Sequence, residues 1–199
     1  MLKTIRQRLS DFEPRWFPSD QPQASVLIAL TDHADDPEVV LTKRAARLST
    51  HSGEIAFPGG KCDDTDPDLL STALREAEEE VGLSPAHVDI LGPLGQVMSL
   101  HGLQVTPWVG VIPKNLQLIP NPGELEEIFT VPLSFFMQDE RYCTDEIRFK
   151  GKTMYVPAWD FEGHIIWGLT AYMLVELLNE GCNANIPMKP RPEHKIRRW

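Results

Sequence analysis

The sequence is poor in cysteine and contains no long apolar run. Its three cysteines, Cys62, Cys143 and Cys182, lie far apart and form no Cys-X-X-Cys pair, so we expect neither a disulfide framework nor a zinc site. No stretch approaches the roughly 18 apolar residues that a membrane-spanning helix needs, and residues 1–12 lack the apolar core of a signal peptide. These absences predict a soluble protein of a reducing compartment, namely the cytoplasm.

Positive charge is also scarce, because 19 lysines and arginines face 29 aspartates and glutamates, for a formal net charge of −10. The scarcity is uneven, since residues 183–199 carry five cationic residues and one acidic residue. The remaining acidic body argues against nucleic acid as a partner, because such binding needs a basic face. We therefore expect neither nucleic acid nor a membrane as a partner, and the composition leaves room for a small anionic ligand.

The length of 199 residues favours one domain with extensions. We predict an N-terminal helix and linker over residues 1–22, a central domain over 23–181, and a basic tail over 182–199 that is extended and poorly ordered. Apolar runs and turn residues predict strands at 24–30, 39–42, 54–57, 88–91, 94–98, 105–112 and 146–156, and helices at 67–81 and 169–180. This order predicts an α/β fold, with a mixed sheet between helices.

The first helix of the central domain carries signals at both ends. Asp66 is suited to the N-cap, Pro67 to the first helical position, and Gly82 to the C-terminal stop. The apolar stripe that would face the core consists of Leu70, Ala73, Leu74, Ala77 and Val81. By the same reasoning, the second helix is predicted to end at Gly181.

Glutamates crowd the C-terminal half of the first helix, where the helix dipole favours cations. Glu76, Glu79 and Glu80 are related by three and four residues and share one face, whereas Glu78 points elsewhere. An acidic run on a helix is usually a solvated surface, but the preceding Gly-Gly turn and Arg75 favour a cation site. Carboxylate oxygens are hard ligands, so the cluster predicts Mg²⁺ or Mn²⁺ rather than zinc.

The segment from Gly60 to Leu83 resembles the signature of Nudix hydrolases, which cleave diphosphates linked to another moiety. The usual form is Gly-X5-Glu-X7-Arg-Glu-apolar-X-Glu-Glu-X-Gly-apolar, and its second half matches from Arg75 onwards. In its first half, Asp66 replaces the glutamate and eight residues instead of seven precede Arg75. The resemblance implies a Nudix-type α/β/α sandwich that uses Mg²⁺ or Mn²⁺. It also implies a set of metal ligands: Glu76, Glu79 and Glu80.

A second resemblance is to the coenzyme A pyrophosphatase branch of that family. It rests on Leu41-Thr42-Lys43-Arg44-Ala45, Gly53 and Phe57-Pro58-Gly59-Gly60, although Ser49 replaces a second motif arginine and Arg47 lies two residues earlier. This implies cleavage of coenzyme A or acyl-CoA into adenosine 3′,5′-bisphosphate and (acyl-)4′-phosphopantetheine. The implied substrate-binding residues are Arg44, Arg47, Gly59, Gly60 and Lys61.

The sequence leaves several alternatives open. Glu76 or Glu124 would activate the attacking water, and Glu126 and Glu127 compete with Glu124 for that role. A Nudix pyrophosphatase acting on ADP-ribose or a dinucleotide is the alternative enzyme. A non-catalytic nucleotide sensor is disfavoured, because such modules usually lose the metal carboxylates that this chain retains. A homodimer is also open, and the basic tail could contact either the substrate or a neighbouring subunit.

Overall fold

The helices and strands are taken from a computed structural model that describes residues 1–18, 21–46, 53–149, 151–191 and 195–198. The helices are α1 (Leu2–Ser10), α2 (Leu69–Val81), α3 (Leu133–Met137) and α4 (Gly168–Cys182), and a single 3₁₀ turn covers Pro85–His87. The strands are β1 (Gln23–Thr31), β2 (Glu38–Arg44), β3 (Ile55–Ala56), β4 (Gly59–Lys61), β5 (Asp89–Pro93), β6 (Val97–Met98), β7 (Gln104–Ile112), β8 (Leu125–Pro132), β9 (Cys143–Phe149), β10 (Lys152–Phe161), β11 (His164–Ile166) and β12 (Ile196–Arg198).

The larger sheet has eight strands, with a central order β3-β2-β1-β7-β5. Strand β4 pairs with β1, β6 with β7 and β8 with β2. Strands β1 and β7 run parallel over nine residue pairs, whereas the other pairings in this sheet are antiparallel. The sheet is therefore mixed, as the alternation of elements predicted.

Both faces of this sheet are covered by helices, because β1 is apolar on both sides. Leu27 and Ala29 pack in one core with α2, whereas Ile28 and Leu30 pack in the other core with α4. A strand buried on both faces reads as a continuous apolar run, which is the pattern of residues 24–30. The predicted α/β sandwich is confirmed, with α2 in one layer and α1 with α4 in the other.

The ends of α2 differ in one respect from the prediction. Asp68 is the N-cap, and its carboxylate accepts the Ser71 N–H at 2.7 Å. The prediction that Asp66 caps the helix is wrong, because the Asp66 carboxylate turns to Arg75 instead. The C-terminal stop is confirmed, since Gly82 adopts the left-handed conformation with φ of 67°.

Three other predicted boundaries are wrong. The single strand at 146–156 is an antiparallel hairpin of β9 and β10, which belongs to a second sheet in the order β11-β10-β9-β12. The strand at 94–98 shrinks to β6, and the strand at 54–57 shrinks to β3, after which Gly59 and Gly60 pair with β1 as part of β4. Strong apolar content could not reveal these changes of direction, because the turn and the pairing partner decide them.

Gly181 lies inside α4 and does not end it, so that prediction is also wrong. The left-handed residue after the helix is Asn183, with φ of 56°. A Cβ atom at position 181 would lie 3.4 Å from Ile5, so the absence of a side chain lets α1 approach α4 closely. Ile5 is fully buried there and is part of the main core.

The basic tail is extended, but its described part is not free of structure. Strand β12 pairs in parallel with β9, and Arg197 forms two hydrogen bonds of 2.7 and 2.9 Å with the fully buried Asp145. Earlier in the tail, Arg191 pairs with Asp139, which also holds Arg141. These ion pairs tie the tail to the second sheet.

In the described part of the chain, no helix is both long and apolar enough to cross a membrane. All three cysteines are free thiols: Cys62 is exposed, Cys143 is buried and Cys182 is partly buried. Burial raises the pKa of the Cys182 thiol to about 11.

Ile5→Ala should destabilise the protein by about 2–5 kcal/mol in urea unfolding, because it removes a fully buried side chain between α1 and α4. The exposed Lys3 on the same helix provides the control, and Lys3→Ala should change the free energy of unfolding by less than about 0.5 kcal/mol. Equal effects of the two substitutions would show that α1 is not part of the folding core.

Candidate active site

The carboxylate of Glu80 is the most buried of the acidic groups on α2, with 3% of the residue exposed. One oxygen accepts the Gly59 backbone N–H at 3.1 Å, and the other lies 3.7 Å from the Arg44 guanidinium. Burial raises the pKa of Glu80 to about 7, against the opposing effects of Gly59 and Arg44, and the charges of Glu124 and Glu76 add to the rise. The fold thus holds the Glu80 carboxylate in an environment that disfavours its charged form.

The two glycines of β4 make room for these carboxylates. A Cβ atom on Gly60 would lie 2.4 Å from the Glu76 carboxyl carbon, and one on Gly59 would lie 2.4 Å from the backbone oxygen of Ser25. Glycine is therefore needed at position 59, where the backbone of β1 leaves no room for a side chain, whereas a side chain at position 60 would displace the Glu76 carboxylate. Burial also raises the pKa of Glu76, an effect that the neighbouring Arg75 opposes.

Arg75 joins the start of the motif to the carboxylate face of α2. Its guanidinium makes two hydrogen bonds of 2.9 Å to Asp66 and contacts Glu76 at 3.0 Å and Glu79 at 3.2 Å. The hydrogen bonds from Arg75 hold the pKa of Asp66 well below its usual range, while those to Asp66 raise the pKa of Arg75. A further bond to the Lys61 carbonyl at 3.2 Å fixes β4 against the helix.

Glu124 reaches the site from the loop between β7 and β8. The N–H groups of Ile119 and Asn121 donate to the carbonyls of Val81 and Glu80, at 3.0 and 2.8 Å. Free carbonyls at a helix C-terminus need such partners, so the end of α2 itself positions this loop. The negative charge of Glu124 contributes to the raised pKa of both Glu76 and Glu80, so Glu124 repels both carboxylates.

The other two candidates for activating water have partners elsewhere. Glu126 forms an ion pair of 3.0 Å with Lys43. Glu127 contacts the His164 ring at 2.9 Å, and that ring stacks on Phe129. Glu124 is among the main causes of the raised pKa of Glu76 and Glu80, and these two glutamates are not.

The predicted substrate-binding residues are only partly brought together. Arg44 lies at the end of β2 and points to Glu80, while its buried Nε atom has no hydrogen-bond partner among the described residues. Gly59 and Gly60 lie beside the carboxylates, and the exposed Lys61 follows them in β4. Arg47 lies outside the described residues, as does Ser49, so both remain predictions.

The donor chemistry of the site fits a hard divalent cation. Glu76, Glu79 and Glu80 offer only carboxylate oxygens, and the buried Glu80 carboxylate lies 3.7 Å from the Arg44 guanidinium. Within the described ranges, no three acidic, histidine or cysteine side chains already form a cation site. One nitrogen of Arg75 contacts both Glu76 and Glu79. Arg75 would therefore compete with a metal ion for two of the three predicted ligands.

Comparison with known proteins places this geometry in a family. Residues 21–145 match the family model described as the NUDIX domain. The chain is 44% identical over 160 residues to Nudix hydrolase 15, mitochondrial, of Arabidopsis thaliana, a match that covers 77% of this chain and 56% of that protein. It is 41% identical over 158 residues to the Nudix hydrolase NudL of Cronobacter sakazakii, covering 79% of this chain and 82% of that protein.

The chain therefore belongs to the NUDIX family. Its aligned part spans little more than half of the Arabidopsis protein, but most of the length of NudL. The fold is similar to that of the Nudix hydrolase RenU from M. smegmatis, with a TM-score of 0.55 and 19% identity over 86% of this chain and 91% of that one. Nudix hydrolases act on nucleoside diphosphates linked to other moieties and generally use divalent metal ions.

Sequence reasoning missed two features of the site. Asp66 pairs with Arg75 although one more residue separates them than in the usual motif. The extra residue fits because α2 begins only at Leu69, so a loop lies between Asp66 and the helix. The match of Asp66 to the motif was the signal for this contact. The contacts of Asn121 had no signal in the sequence, since they depend on where the loop meets the end of α2.

Glu80→Gln should stabilise the metal-free protein at pH 8, in the presence of a chelator. The carboxyl group binds its proton more tightly in the folded protein than in the unfolded chain. Its contribution to stability is therefore complete below the ordinary pKa of 4.5 and is lost as the pH rises through about 7. We expect a gain on the order of 2 kcal/mol at pH 8 in urea unfolding, shrinking towards pH 5.

The exposed Glu78 of the same helix is the control for this measurement. Glu78→Gln should shift the free energy of unfolding by the same small amount at pH 5 and pH 8. A difference between Glu80→Gln and the unaltered protein that stays constant across this range would contradict the buried carboxylate.

Proposed function

We propose that the chain is a divalent-cation-dependent Nudix diphosphatase whose substrate is coenzyme A or an acyl-CoA. The observation that carries the proposal is the buried Glu80 carboxylate, held between the Gly59 amide and the Arg44 guanidinium on a face that also carries Glu76. A cluster of carboxylates repels a diphosphate unless cations lie between them. The burial of Glu80 beside Arg44 supports a site for a complex of a metal ion with a diphosphate.

In this proposal, Glu76, Glu79 and Glu80 hold Mg²⁺ or Mn²⁺. The bound ions would neutralise the charge of the diphosphate and of the leaving phosphate. Arg44 binds phosphate oxygens through its partly exposed guanidinium, which lies beside Glu80. Four further residues are proposed to contact the substrate: Arg47, Gly59, Gly60 and Lys61.

Glu124 is proposed to orient the attacking water and accept its proton, with Glu76 as the alternative. The charge of Glu124 is felt at both Glu76 and Glu80, and its loop is fixed to the end of α2. Glu126 and Glu127 are less suited, because Lys43 and His164 engage them. Glu124 is also free of the close contact with Arg75 that Glu76 makes.

The contacts between the two parts of the coenzyme A motif support the finer choice of substrate. Arg44 donates its backbone N–H to Glu54 at 3.1 Å and accepts the Gly53 N–H at 3.1 Å, while the Thr42 hydroxyl donates to Ala56 at 3.0 Å. These bonds join the Leu41–Ala45 part to the Gly53–Gly60 part beside the carboxylate face. ADP-ribose or a dinucleotide is the alternative substrate, because Ser49 replaces a motif arginine.

The proposal includes a cytoplasmic location and a small-molecule substrate, without nucleic acid or a membrane as partner. The acidic composition supports the absence of nucleic acid as a partner, and several of the described cations form ion pairs, such as those of Arg75 and Arg197. A homodimer is compatible with the proposal and is tested by sedimentation of the full chain.

Incubation with coenzyme A and Mg²⁺ or Mn²⁺ should release adenosine 3′,5′-bisphosphate and 4′-phosphopantetheine, identified by mass spectrometry. Glu80→Gln should reduce the rate by about 100-fold or more, because it removes a negatively charged ligand of the cation that the proposed reaction requires. Its circular dichroism spectrum should be unchanged, since glutamine keeps the acceptor for the Gly59 N–H.

The exposed Glu78 again provides the matched control, and Glu78→Gln should keep the turnover within about twofold. Turnover of ADP-ribose or a dinucleotide without turnover of coenzyme A would contradict the substrate and leave the diphosphatase standing. No turnover of any of these compounds with either metal would contradict the enzyme itself and favour a nucleotide sensor.

A further inference from the structure

Asn121 connects the carboxylate helix to the loop that carries Glu124. Its backbone N–H donates to the Glu80 carbonyl at 2.8 Å, and its own carbonyl accepts the N–H groups of Glu124 and Leu125 at 3.0 and 2.9 Å. One residue thus spans the step from the last turn of α2 to the first residue of β8. Movement of Asn121 would change the position of Glu124 relative to Glu80.

The side chain of Asn121 uses both ends of its amide. The carbonyl oxygen accepts the Gly123 N–H at 2.9 Å, which closes the turn, and the amide nitrogen donates to a Glu124 carboxylate oxygen at 3.3 Å. Asparagine is partly buried here, and it is a short neutral side chain that offers a donor and an acceptor together. Aspartate could close the same turn, but it would place another negative charge beside Glu124.

We propose that Asn121 is a positioning residue that orients the Glu124 carboxylate towards the attacking water. This inference rests on the proposed water-activating role of Glu124. The hydrogen bond from a neutral amide restricts the carboxylate to one direction and adds no positive charge that would weaken it as a proton acceptor. Asn121 itself is not proposed to touch the substrate.

The charges around Glu124 explain why a neutral donor suits this position. Glu76 and Glu80 are both repelled by the charge of Glu124, so a further negative charge beside Glu124 would be unfavourable. A lysine or arginine at position 121 would pair with Glu124 and compete with the water for its oxygens. The amide restrains the carboxylate without neutralising it.

Steady-state kinetics on coenzyme A test the inference with three variants. Asn121→Ala should lower kcat by about 10-fold, because the Glu124 carboxylate loses its orientation. It should leave KM within about twofold, because the contacts with the substrate are unchanged. Asn121→Asp should lower kcat further, although it keeps the acceptor for the Gly123 N–H. Asn115→Asp adds the same charge at an exposed position of the same loop and should leave kcat within about twofold.

A double-mutant cycle separates this role from a merely structural one. If Asn121 acts through Glu124, Asn121→Ala should cause no further loss in the Glu124→Gln background, where the residual rate is measured at high enzyme concentration. An equal loss in both backgrounds would overturn the inference, because Asn121 would then only hold the loop.

Other results have separate meanings. A marked loss in Glu124→Gln with near-normal kcat in Asn121→Ala and Asn121→Asp would overturn the inference and leave the proposed function intact. Near-normal kcat in Glu124→Gln would overturn the water-activating role of Glu124 and the inference with it. Failure of the unaltered chain to hydrolyse coenzyme A or any other nucleoside diphosphate would overturn the proposed function, and Asn121 would then have no reaction to serve.

Discussion

Burial of the Glu80 carboxylate is the constraint on which the rest of the site depends. Removing this charge from water is costly, and the chain offsets only part of the cost with the Gly59 amide and the Arg44 guanidinium. The Gly59 contact requires β4 to pair closely with β1, where no Cβ atom fits. The raised pKa of Glu80 reflects the remaining cost of burying the charged carboxylate. A divalent cation bound at this position would stabilise the charged form.

The last turn of α2 creates a second constraint, because negative side chains there add to the negative end of the helix dipole. Arg75 offsets the negative charge of the side chains by contacting Glu76 and Glu79, while Asp66 holds Arg75 in place. The backbone N–H groups of the β7–β8 loop donate hydrogen bonds to the terminal carbonyls of α2. The same contacts that relieve the end of the helix thus bring Glu124 to the site.

Much of this could be predicted from the sequence, because it is encoded locally. The spacing of Glu76, Glu79 and Glu80 defines one helical face, and Gly82 marks the helix end. The fold class followed from the order of apolar runs. The N-cap was wrongly assigned to Asp66, because the Asp66 carboxylate binds Arg75, nine residues further along the chain, and Asp68 caps the helix instead. The β9–β10 hairpin and the contacts of Asn121 were missed for the same reason, since residues distant in the chain determine them.

Titration with Mn²⁺, monitored by electron paramagnetic resonance, tests the central claim that this buried carboxylate belongs to a cation site. The unaltered protein should bind Mn²⁺ saturably at pH 8. Glu80→Gln should weaken that binding by about 10-fold or more, because it removes a buried charged ligand. Glu78→Gln, on the exposed face of the same helix, should bind as the unaltered protein does. Equal Mn²⁺ affinity in the Glu80→Gln variant would contradict the account.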